Sequence, residues 1–269
     1  MAGLVYALGE AASAGWSSIQ VICSLAVTAV ALTVFVARQR GHTDRLLPLR
    51  VVLNRNRGWA MIGLIVNGLS TYGMMLILTC QLQSIMGYSA LRTGLALIPF
   101  ALAAVITATQ LTPRLMIRFP PRWLITAAIA AEAAGLIPLI WLTPHSHYLP
   151  LILAATVIEG LATGVATPAT LNTALSGILP TDSGAAGAGT SAASQLGSSI
   201  GAALLNTVAA TATASYLALH RTAGTVTGTV HGFTVAMIWG AAITLIAALP
   251  IALFVNARTP TPHAAKRAT

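Results

Sequence analysis

A chain of 269 residues with 56% hydrophobic and only 7% charged side chains is not an ordinary soluble domain, in which about a quarter of the residues are charged. Its mean hydropathy of +0.82 comes mainly from Ala, Leu, Ile and Val, which favours membrane-spanning helices over a β-barrel of alternating polar and apolar residues. The net charge of +9 does not indicate nucleic-acid binding, because the Lys and Arg residues stand between apolar stretches. Cys23 and Cys80 lie inside apolar stretches and predict neither a disulfide framework nor a metal site.

Seven stretches are long and apolar enough to cross a bilayer, whose hydrocarbon core of ~30 Å requires about 20 helical residues. These predicted spans cover residues 19–37, 59–82, 94–111, 123–142, 148–175, 184–209 and 232–255. The predicted fold class is therefore all-α, a polytopic membrane protein with about seven transmembrane helices. Residues 1–18 lack the basic segment of a signal peptide and are interpreted as a truncated helix end followed by an external loop.

The basic residues are unequally distributed between the two faces that an alternating path defines. One face carries residues 38–57 with six Lys or Arg, residues 114–122 with three and residues 257–269 with three, whereas the other carries only Arg92 and Arg221. Cationic loops resist translocation, so the richer face is predicted to be cytoplasmic in a bacterial plasma membrane, with the C-terminus inside. The excess positive charge is then explained by topology and by contacts with lipid phosphate.

Small residues mark where these helices are expected to pack, because no hydrophobic force draws helices together inside lipid. Gly160 with Gly164 and Gly197 with Gly201 form Gly-xxx-Gly pairs. The sixth span consists mostly of Gly, Ala, Ser and Thr, so we expect it to be buried against its neighbours. Proline removes a backbone donor and can kink a spanning helix. The prolines within or at the edges of spans are Pro99, Pro138, Pro168 and Pro250.

Two acidic residues lie inside predicted spans, Glu132 in Ala-Ala-Glu-Ala-Ala and Glu159 in Val-Ile-Glu-Gly-Leu. A charge at mid-bilayer costs at least ~2.5 kcal/mol, so each carboxyl group is expected to hold a proton or to face water or a partner. One interpretation is a proton-coupling or cation-recognising group, and the other is a neutral carboxyl that binds a neighbouring helix. Since no Lys or Arg lies within a predicted span, a proton or a cationic substrate is left as the compensating charge.

Uncharged polar side chains within the spans are expected either to line a cavity or to form hydrogen bonds between helices. They are Asn67, Ser70, Thr71, Tyr72, Gln81, Gln83, Asn172, Gln195 and Asn206. His145 and His147 lie in an external connector without Cys or carboxylates beside them, which makes a poor metal site. No nucleotide-binding or hydrolase motif occurs, so we predict no metal, no cofactor, no nucleic-acid partner and no enzymatic activity.

Four connecting segments follow one another in a characteristic order. Residues 46–57 contain LPLRV and NRNR, residues 87–99 read GYSALRTGLALIP, residues 113–122 hold two Pro-Arg pairs, and residues 179–201 join LPTDSG to QLGSSIG. In this register, from about residue 4 to 256, they resemble the C-terminal half of the fourteen-span drug:proton antiporter branch of the major facilitator superfamily. The gating or motif residues that the resemblance implies are Gly87, Tyr88, Arg92, Gly94, Pro99, Arg114, Arg122, Gly197 and Gly201.

The resemblance implies a division of the chain into a truncated helix end and external loop (1–18), an accessory helix with a cytoplasmic link (19–57), a C-terminal six-helix transporter bundle (58–256) and a cytoplasmic tail (257–269). The chain departs from the family pattern at Ser194, where members often have Arg, so any role of that Arg is not carried over to this chain. The N-terminal bundle, with the family's main gating loop and its usual proton-coupling acids, is expected to lie outside this chain.

The function that follows from the resemblance is multidrug-type efflux by proton antiport. A small lipophilic, often cationic substrate would be exchanged for protons, with the proton gradient as the energy source, and this C-terminal fragment would be inactive without the missing N-terminal half or another transporter chain. The residues expected to contact substrate or carry the proton are Glu159, Glu132, Asn67, Tyr72 and Gln195. An alternative is a non-transporting membrane scaffold or regulatory remnant that pairs with another transporter. A membrane-embedded enzyme would need polar groups clustered near one face, whereas the amides and acids here are scattered.

Overall fold

The computed structural model describes residues 55–178 and 180–255, together with residues 18, 19, 22–24, 26–30 and 33. Within these residues the regular elements are helices, and six of them are long and apolar enough to span a membrane. We number them α1 (Arg55–Ile85), α2 (Ala90–Arg118), α3 (Pro121–Trp141), α4 (Tyr148–Leu175), α5 (Ser183–Leu219) and α6 (Thr225–Phe254). The predicted span at 19–37 is described only in part and the tail at 257–269 lies outside the described residues, so the seventh helix stays a prediction.

The six helices coincide with six of the predicted spans, but α1, α2, α5 and α6 extend beyond them. A hydropathy window detects only the lipid-embedded part of a helix, whereas polar residues continue the helix into the interface. At the start of α2, the Ser89 side chain accepts a 3.3 Å hydrogen bond from the backbone N–H of Arg92 and caps the helix. Near the end of α5, the Thr211 and Thr213 hydroxyls each donate a 2.8 Å bond to a carbonyl one turn earlier, which satisfies them within the helix.

Helix α2 is interrupted at Leu97, where the backbone leaves the regular helical path with φ −92° and ψ −5°. Pro99 causes the break, because its ring lacks an N–H and clashes with the carbonyl one turn earlier. The Tyr148 hydroxyl donates a 2.6 Å hydrogen bond to the Ala96 carbonyl and so ties the break to the start of α4. Among the other predicted prolines, one begins a 3₁₀ turn at the end of α3 and two lie inside α4 and α6: Pro138, Pro168 and Pro250.

Contacts at the helix termini define two ends of the bundle. At the beginning of α1, the Arg57 guanidinium donates hydrogen bonds of 3.0 and 2.8 Å to the carbonyls of Ser176 and Gly177, just beyond α4. The Trp59 ring stacks on the Phe254 ring at the last residue of α6, with 4.9 Å between centroids. The first residues of α1 therefore lie at the same end as the last residues of α4 and α6. We call this the basic end, since its described cations are Arg55, Arg57, Arg114, Arg118 and Arg122.

Close packing between α1 and α5 depends on two glycines of α5. A Cβ atom at Gly197 would collide with the Ile65 carbonyl oxygen, and one at Gly201 would collide with the Leu69 carbonyl oxygen. Only a residue without a side chain allows the two backbones to approach this closely. The packing predicted for this Gly-xxx-Gly pair is confirmed.

The second pair holds α4 against α2. A Cβ atom at Gly160 would collide with the Phe100 carbonyl oxygen, and one at Gly164 would meet the Ala104 carbonyl oxygen. Because Phe100 and Ala104 lie just after the break in α2, this contact fixes the position of the second segment of α2 on α4. The packing predicted for this pair is also confirmed.

The sixth predicted span packs against its neighbours as expected, but the expectation that it is buried rather than facing lipid is wrong for the described chain. Only 17% of the apolar window of α5 is buried, and its buried residues follow one face that meets α1 and α6. Small side chains permit close approach on one face, but they do not require neighbours on the other. Helix α2 is similarly peripheral, with 11% of its window buried and with exposed apolar residues such as Leu102 and Val105 that suit lipid.

Candidate functional site

One turn of α1 carries three polar side chains inside the bundle. Asn67, Ser70 and Thr71 are separated by three and four residues and therefore share one face of the helix. They are 7%, 0% and 8% exposed. Helix α1 contacts α3, α4, α5 and α6, so this turn lies where side chains from several helices meet.

Glu132 of α3 is completely buried and is bound by Asn67. The Asn67 amide Nδ2 donates a hydrogen bond to Oε1 of Glu132. On its other side, Oδ1 of Asn67 accepts a 3.1 Å bond from the Thr167 hydroxyl of α4. The Asn67 amide therefore links three helices, with its donor directed at the acid and its acceptor at the threonine.

Glu159 of α4 is also completely buried and is bound by the next two polar residues of the same turn. Its Oε1 accepts hydrogen bonds of 3.0 Å from the Ser70 hydroxyl and 3.3 Å from the Thr71 hydroxyl. The Thr71 oxygen also lies 3.1 Å from the Thr163 hydroxyl oxygen of α4, and either of these atoms can be the donor. Both intramembrane acids thus bind α1 through neutral groups.

The position of Glu159 depends on a glycine of α3. A Cβ atom at Gly135 would lie 2.8 Å from Oε2 of Glu159 and 3.1 Å from its backbone nitrogen, so the absence of a side chain makes room for the carboxyl group. Within the described chain, Oε2 of Glu159 and Oε2 of Glu132 have no hydrogen-bond partner. A buried charge must be paired, hydrogen-bonded or neutralised by a proton, and these carboxyl groups are only half satisfied.

A cavity of about 590 Å³ lies beside this network. Its polar lining consists of hydroxyl and amide groups, and its apolar lining comes from α1 and from the region of the break in α2. The polar lining residues are Asn67, Thr71, Tyr72, Thr163, Thr167 and Ser194. Neither acid lines the cavity. Glu132 lies behind Asn67 and Glu159 lies behind Thr71, so each carboxyl group is one hydrogen bond from a side chain of the cavity wall.

The structure brings together four of the five residues predicted to contact substrate or proton. Asn67 and Tyr72 line the cavity, Tyr72 being 57% exposed, and Glu132 and Glu159 lie behind it. Gln195 is exposed on α5 and lies outside the lining, although Ser194 beside it contributes. The other amides proposed for a cavity also lie outside this one: Gln81, Gln83, Asn172 and Asn206.

Some of the predicted gating and motif residues lie at the two ends of the bundle, whereas Gly94, Gly197 and Gly201 lie within it. In the link between α1 and α2, Gly87 has a φ of +68°, which favours glycine, and the Arg92 guanidinium lies 3.8 Å from the centre of the Tyr88 ring. Gly94 lines the cavity. At the basic end, the Arg122 guanidinium lies 4.6 Å from the centre of the Trp123 ring. Arg114 is exposed at the same end. The gating role of these residues stays a prediction.

Three residues of the site were missed from the sequence: Gly135, Thr163 and Thr167. A signal was available for the threonines, because Glu159, Thr163 and Thr167 recur every four residues and so share one face of α4. Threonine is common in spanning helices, where its hydroxyl usually bonds the carbonyl one turn earlier, and this obscures the pattern. No sequence pattern indicated Gly135, because its role depends on the close approach of Glu159 from another helix.

No family model matches the chain, but curated proteins do. It is 37% identical over 263 residues to a puromycin resistance protein of Streptomyces alboniger, which covers 96% of this chain and 52% of that protein. It is 32% identical over 200 residues to a cephamycin export protein of Amycolatopsis lactamdurans, with 74% of this chain and 41% of that protein covered. An MFS-type transporter of Bacillus subtilis is 31% identical over 121 residues, which is 45% of this chain and 23% of the relative.

The chain spans about half the length of the first of these relatives and less of the others. Their names agree with the resemblance found in the connecting segments, and the six apolar helices agree with a transporter bundle. The chain therefore belongs to the major facilitator superfamily, whose members are membrane transporters and not enzymes.

Proposed function

We propose that this chain forms the C-terminal half of an efflux antiporter that exchanges a small lipophilic, often cationic molecule for protons. The observation that carries the proposal is the pair of completely buried carboxyl groups, each held one hydrogen bond behind the wall of a cavity. The names of the relatives, a puromycin resistance protein and a cephamycin export protein, support a small-molecule substrate.

Glu159 is the proposed proton carrier. It has no hydrogen-bonded cation within the described chain, and its partners Ser70 and Thr71 are hydroxyls that can either donate or accept. Such a site suits both the ionised and the protonated carboxyl group. Glu132 is bound by the amide nitrogen of Asn67, which only donates, so its environment is less adaptable.

Transport by this superfamily requires two halves that rock around a central site. The chain spans about half of its first relative, so we propose that its partner is an N-terminal half or another transporter chain. The cavity would then be one wall of the complete substrate site. We also propose that the protein lies in the plasma membrane with its C-terminus in the cytoplasm, since the basic end is the richer in Arg.

The first experiment co-expresses this chain with the N-terminal half of the Streptomyces alboniger relative in cells that lack other efflux pumps. Energy-dependent loss of the fluorescent cation ethidium is expected with both parts, and little with either part alone. Collapse of the proton gradient should abolish the efflux. Absence of efflux from the pair, together with crosslinking of this chain to a full-length transporter, would favour the scaffold alternative.

The second experiment replaces the carboxyl group with its neutral isostere, Glu159→Gln, in the same pair of chains. We expect proton-driven ethidium efflux to fall about 100-fold, which is the lower end of what a positioned proton-transfer group contributes. Downhill exchange of ethidium without a proton gradient should continue, because the amide still accepts hydrogen bonds from Ser70 and Thr71. The matched control is Glu132→Gln, for which a smaller loss is expected. Undiminished uphill efflux in Glu159→Gln would exclude Glu159 from proton coupling.

A further inference from the structure

A hydroxyl pair connects the buried acid Glu159 to the cavity. The Thr71 oxygen is 3.3 Å from Oε1 of Glu159 and 3.1 Å from the Thr163 oxygen, and both threonines line the cavity. Each hydroxyl has one proton to donate and lone pairs to accept with. The direction of the first hydrogen bond therefore sets the direction of the second.

An ionised Glu159 orients this pair in one direction. A carboxylate only accepts hydrogen bonds, so Thr71 must donate to Oε1. The Thr71 oxygen is then free to accept the proton of Thr163. With its own proton used in this way, Thr163 presents only lone pairs to the cavity, and a ligand there must donate to it.

A protonated Glu159 orients the pair in the opposite direction. Its Oε2 has no partner within the described chain, and an O–H without a partner is less tolerable than a carbonyl oxygen without one. The proton therefore belongs on Oε1, and Thr71 is the hydroxyl that accepts it. Thr71 can donate its own proton to the Thr163 oxygen, whereas the completely buried Ser70 has no second hydrogen bond within the described chain and so keeps donating to Oε1. Thr71 then donates to Thr163, and the Thr163 proton is directed into the cavity.

We propose that Thr71 and Thr163 form a reversible hydroxyl relay that makes the cavity favour hydrogen-bond donors when Glu159 is ionised and hydrogen-bond acceptors when it is protonated. The proposal rests on the antiport function above and deepens it. It specifies the ligand as a lipophilic molecule, cationic or neutral, that carries an N–H or O–H group directed at Thr163. Proton uptake by Glu159 directs the Thr163 proton towards that group and leaves the Thr163 oxygen one free lone pair instead of two, which weakens substrate binding, as an exchange of substrate for proton requires.

Glu132 is the titratable group that faces Glu159 from α3, and it acts through a different contact. Its partner Asn67 holds a nitrogen that only donates and an oxygen that only accepts, so this amide cannot reverse. Thr167 donates to Oδ1 of Asn67 whatever the state of Glu132. Thr167 is therefore the matched control for Thr163: it is a threonine of the same helix and cavity without a reversible partner.

The test measures the binding of two lipophilic cations across a pH series, with this chain assembled with the N-terminal half of the Streptomyces alboniger relative in lipid nanodiscs. Ethidium has aromatic amino groups that donate hydrogen bonds, whereas tetraphenylphosphonium has no hydrogen-bonding group. Both cations respond to the charge of Glu159, but only ethidium responds to the relay. We expect ethidium affinity to rise with pH by roughly fivefold more than tetraphenylphosphonium affinity, the effect of one ordinary hydrogen bond.

Thr163→Val and Thr71→Val are each expected to abolish this excess, and Thr163→Ser is expected to retain it. Thr167→Val should change ethidium affinity by the same factor at every pH. Two valine variants are used so that the test can proceed if one of them fails to fold. The Thr163→Ser variant keeps the hydroxyl and removes only the methyl group, so it shows whether altered packing alone changes ethidium binding. An unchanged ethidium excess in either folded valine variant would overturn the relay.

The outcome for Glu159→Gln separates the relay from the function on which it rests. If this variant removes the pH dependence of both probes while the valine variants do not affect the ethidium excess, proton coupling stands and the relay is wrong. If this variant leaves the pH dependence of both probes unchanged, or if neither probe binds to the assembly, the proposed function itself is contradicted.

Discussion

Asn67 is the central residue of the buried network, because its amide forms hydrogen bonds with side chains of two other helices at once. Its nitrogen binds Glu132 of α3 and its oxygen binds Thr167 of α4. Removing one partner of a buried hydrogen bond leaves the other without compensation, which costs more than the hydrogen bond itself contributes. Asn67 therefore stabilises the contact of α1 with α3 and α4 in addition to lining the cavity.

Asn67→Leu keeps a similar volume but leaves Glu132 without a donor, so we predict a loss of about 1–3 kcal/mol in the free energy of unfolding. The measurement is thermal unfolding of the purified chain in detergent. Asn172→Leu is the control, because Asn172 is exposed on α4. The double variant Asn67→Leu with Glu132→Leu should recover most of the loss, since an apolar pair replaces a half-satisfied polar one. Equal stability of Asn67→Leu and Asn172→Leu would contradict this role.

At the residue scale, the sequence predicted which groups are unusual but not which groups meet. Glu132, Glu159 and Asn67 were identified because polar side chains inside a span are energetically costly. The hydrogen bond from Asn67 to Glu132 joins residues 65 positions apart, and no local pattern specifies such a pairing. The prediction placed Gln195 in the cavity, but the lining position belongs to Ser194. Successive helical residues are about 100° apart around the axis, so neighbours in the sequence face different directions.

At the scale of elements, the contact between α1 and α5 is predicted to be the most sensitive to added volume. A Cβ atom at Gly197 would overlap backbone atoms of Ile65, and backbone cannot move aside as a flexible side chain can. We expect Gly197→Val to lower the free energy of unfolding by about 1–3 kcal/mol or more, which is the cost of overpacking. Gly187→Val is the control in the same helix, because nothing lies within 4 Å of a Cβ atom there.

Thermal unfolding and size-exclusion chromatography of both glycine variants provide the measurement. The control accounts for the valine side chain itself, since valine has the same intrinsic helix preference at both positions. A Gly197→Val protein as stable as Gly187→Val would show that α1 and α5 are farther apart in the membrane than their backbones are here.

The positions of the helices could be predicted from the sequence, but which of their faces contact other helices could not. Apolar length predicts a span because the cost of burying polar groups in lipid adds up along a helix. The interruption at Leu97 follows from Pro99, a local cause that sequence reasoning identified only as a possible kink. The exposure of α5 has no local cause, since small residues are equally compatible with one close neighbour or with several.

At the scale of the whole molecule, the distribution of arginine is the feature that orientation depends on. Within the described chain, Arg55, Arg57, Arg114, Arg118 and Arg122 lie at the basic end, whereas Arg92 and Arg221 lie at the opposite end. The hydrogen bonds from Arg57 to the carbonyls of Ser176 and Gly177 show that chain alternation and three-dimensional position agree. The positive-inside rule then predicts that the basic end faces the cytoplasm.

Single cysteines at the two ends test this orientation in a Cys23→Ser, Cys80→Ser background, which removes both native cysteines. His145→Cys introduces an exposed thiol between α3 and α4, and Phe119→Cys introduces one between α2 and α3 at the basic end. A membrane-impermeant maleimide added to intact cells is expected to label the first variant, and to label the second only after the membrane is permeabilised. The reverse labelling pattern would show that the protein has the opposite orientation in the membrane. It would also place the basic end on the external side, where the anionic lipid of the cytoplasmic leaflet could not stabilise it.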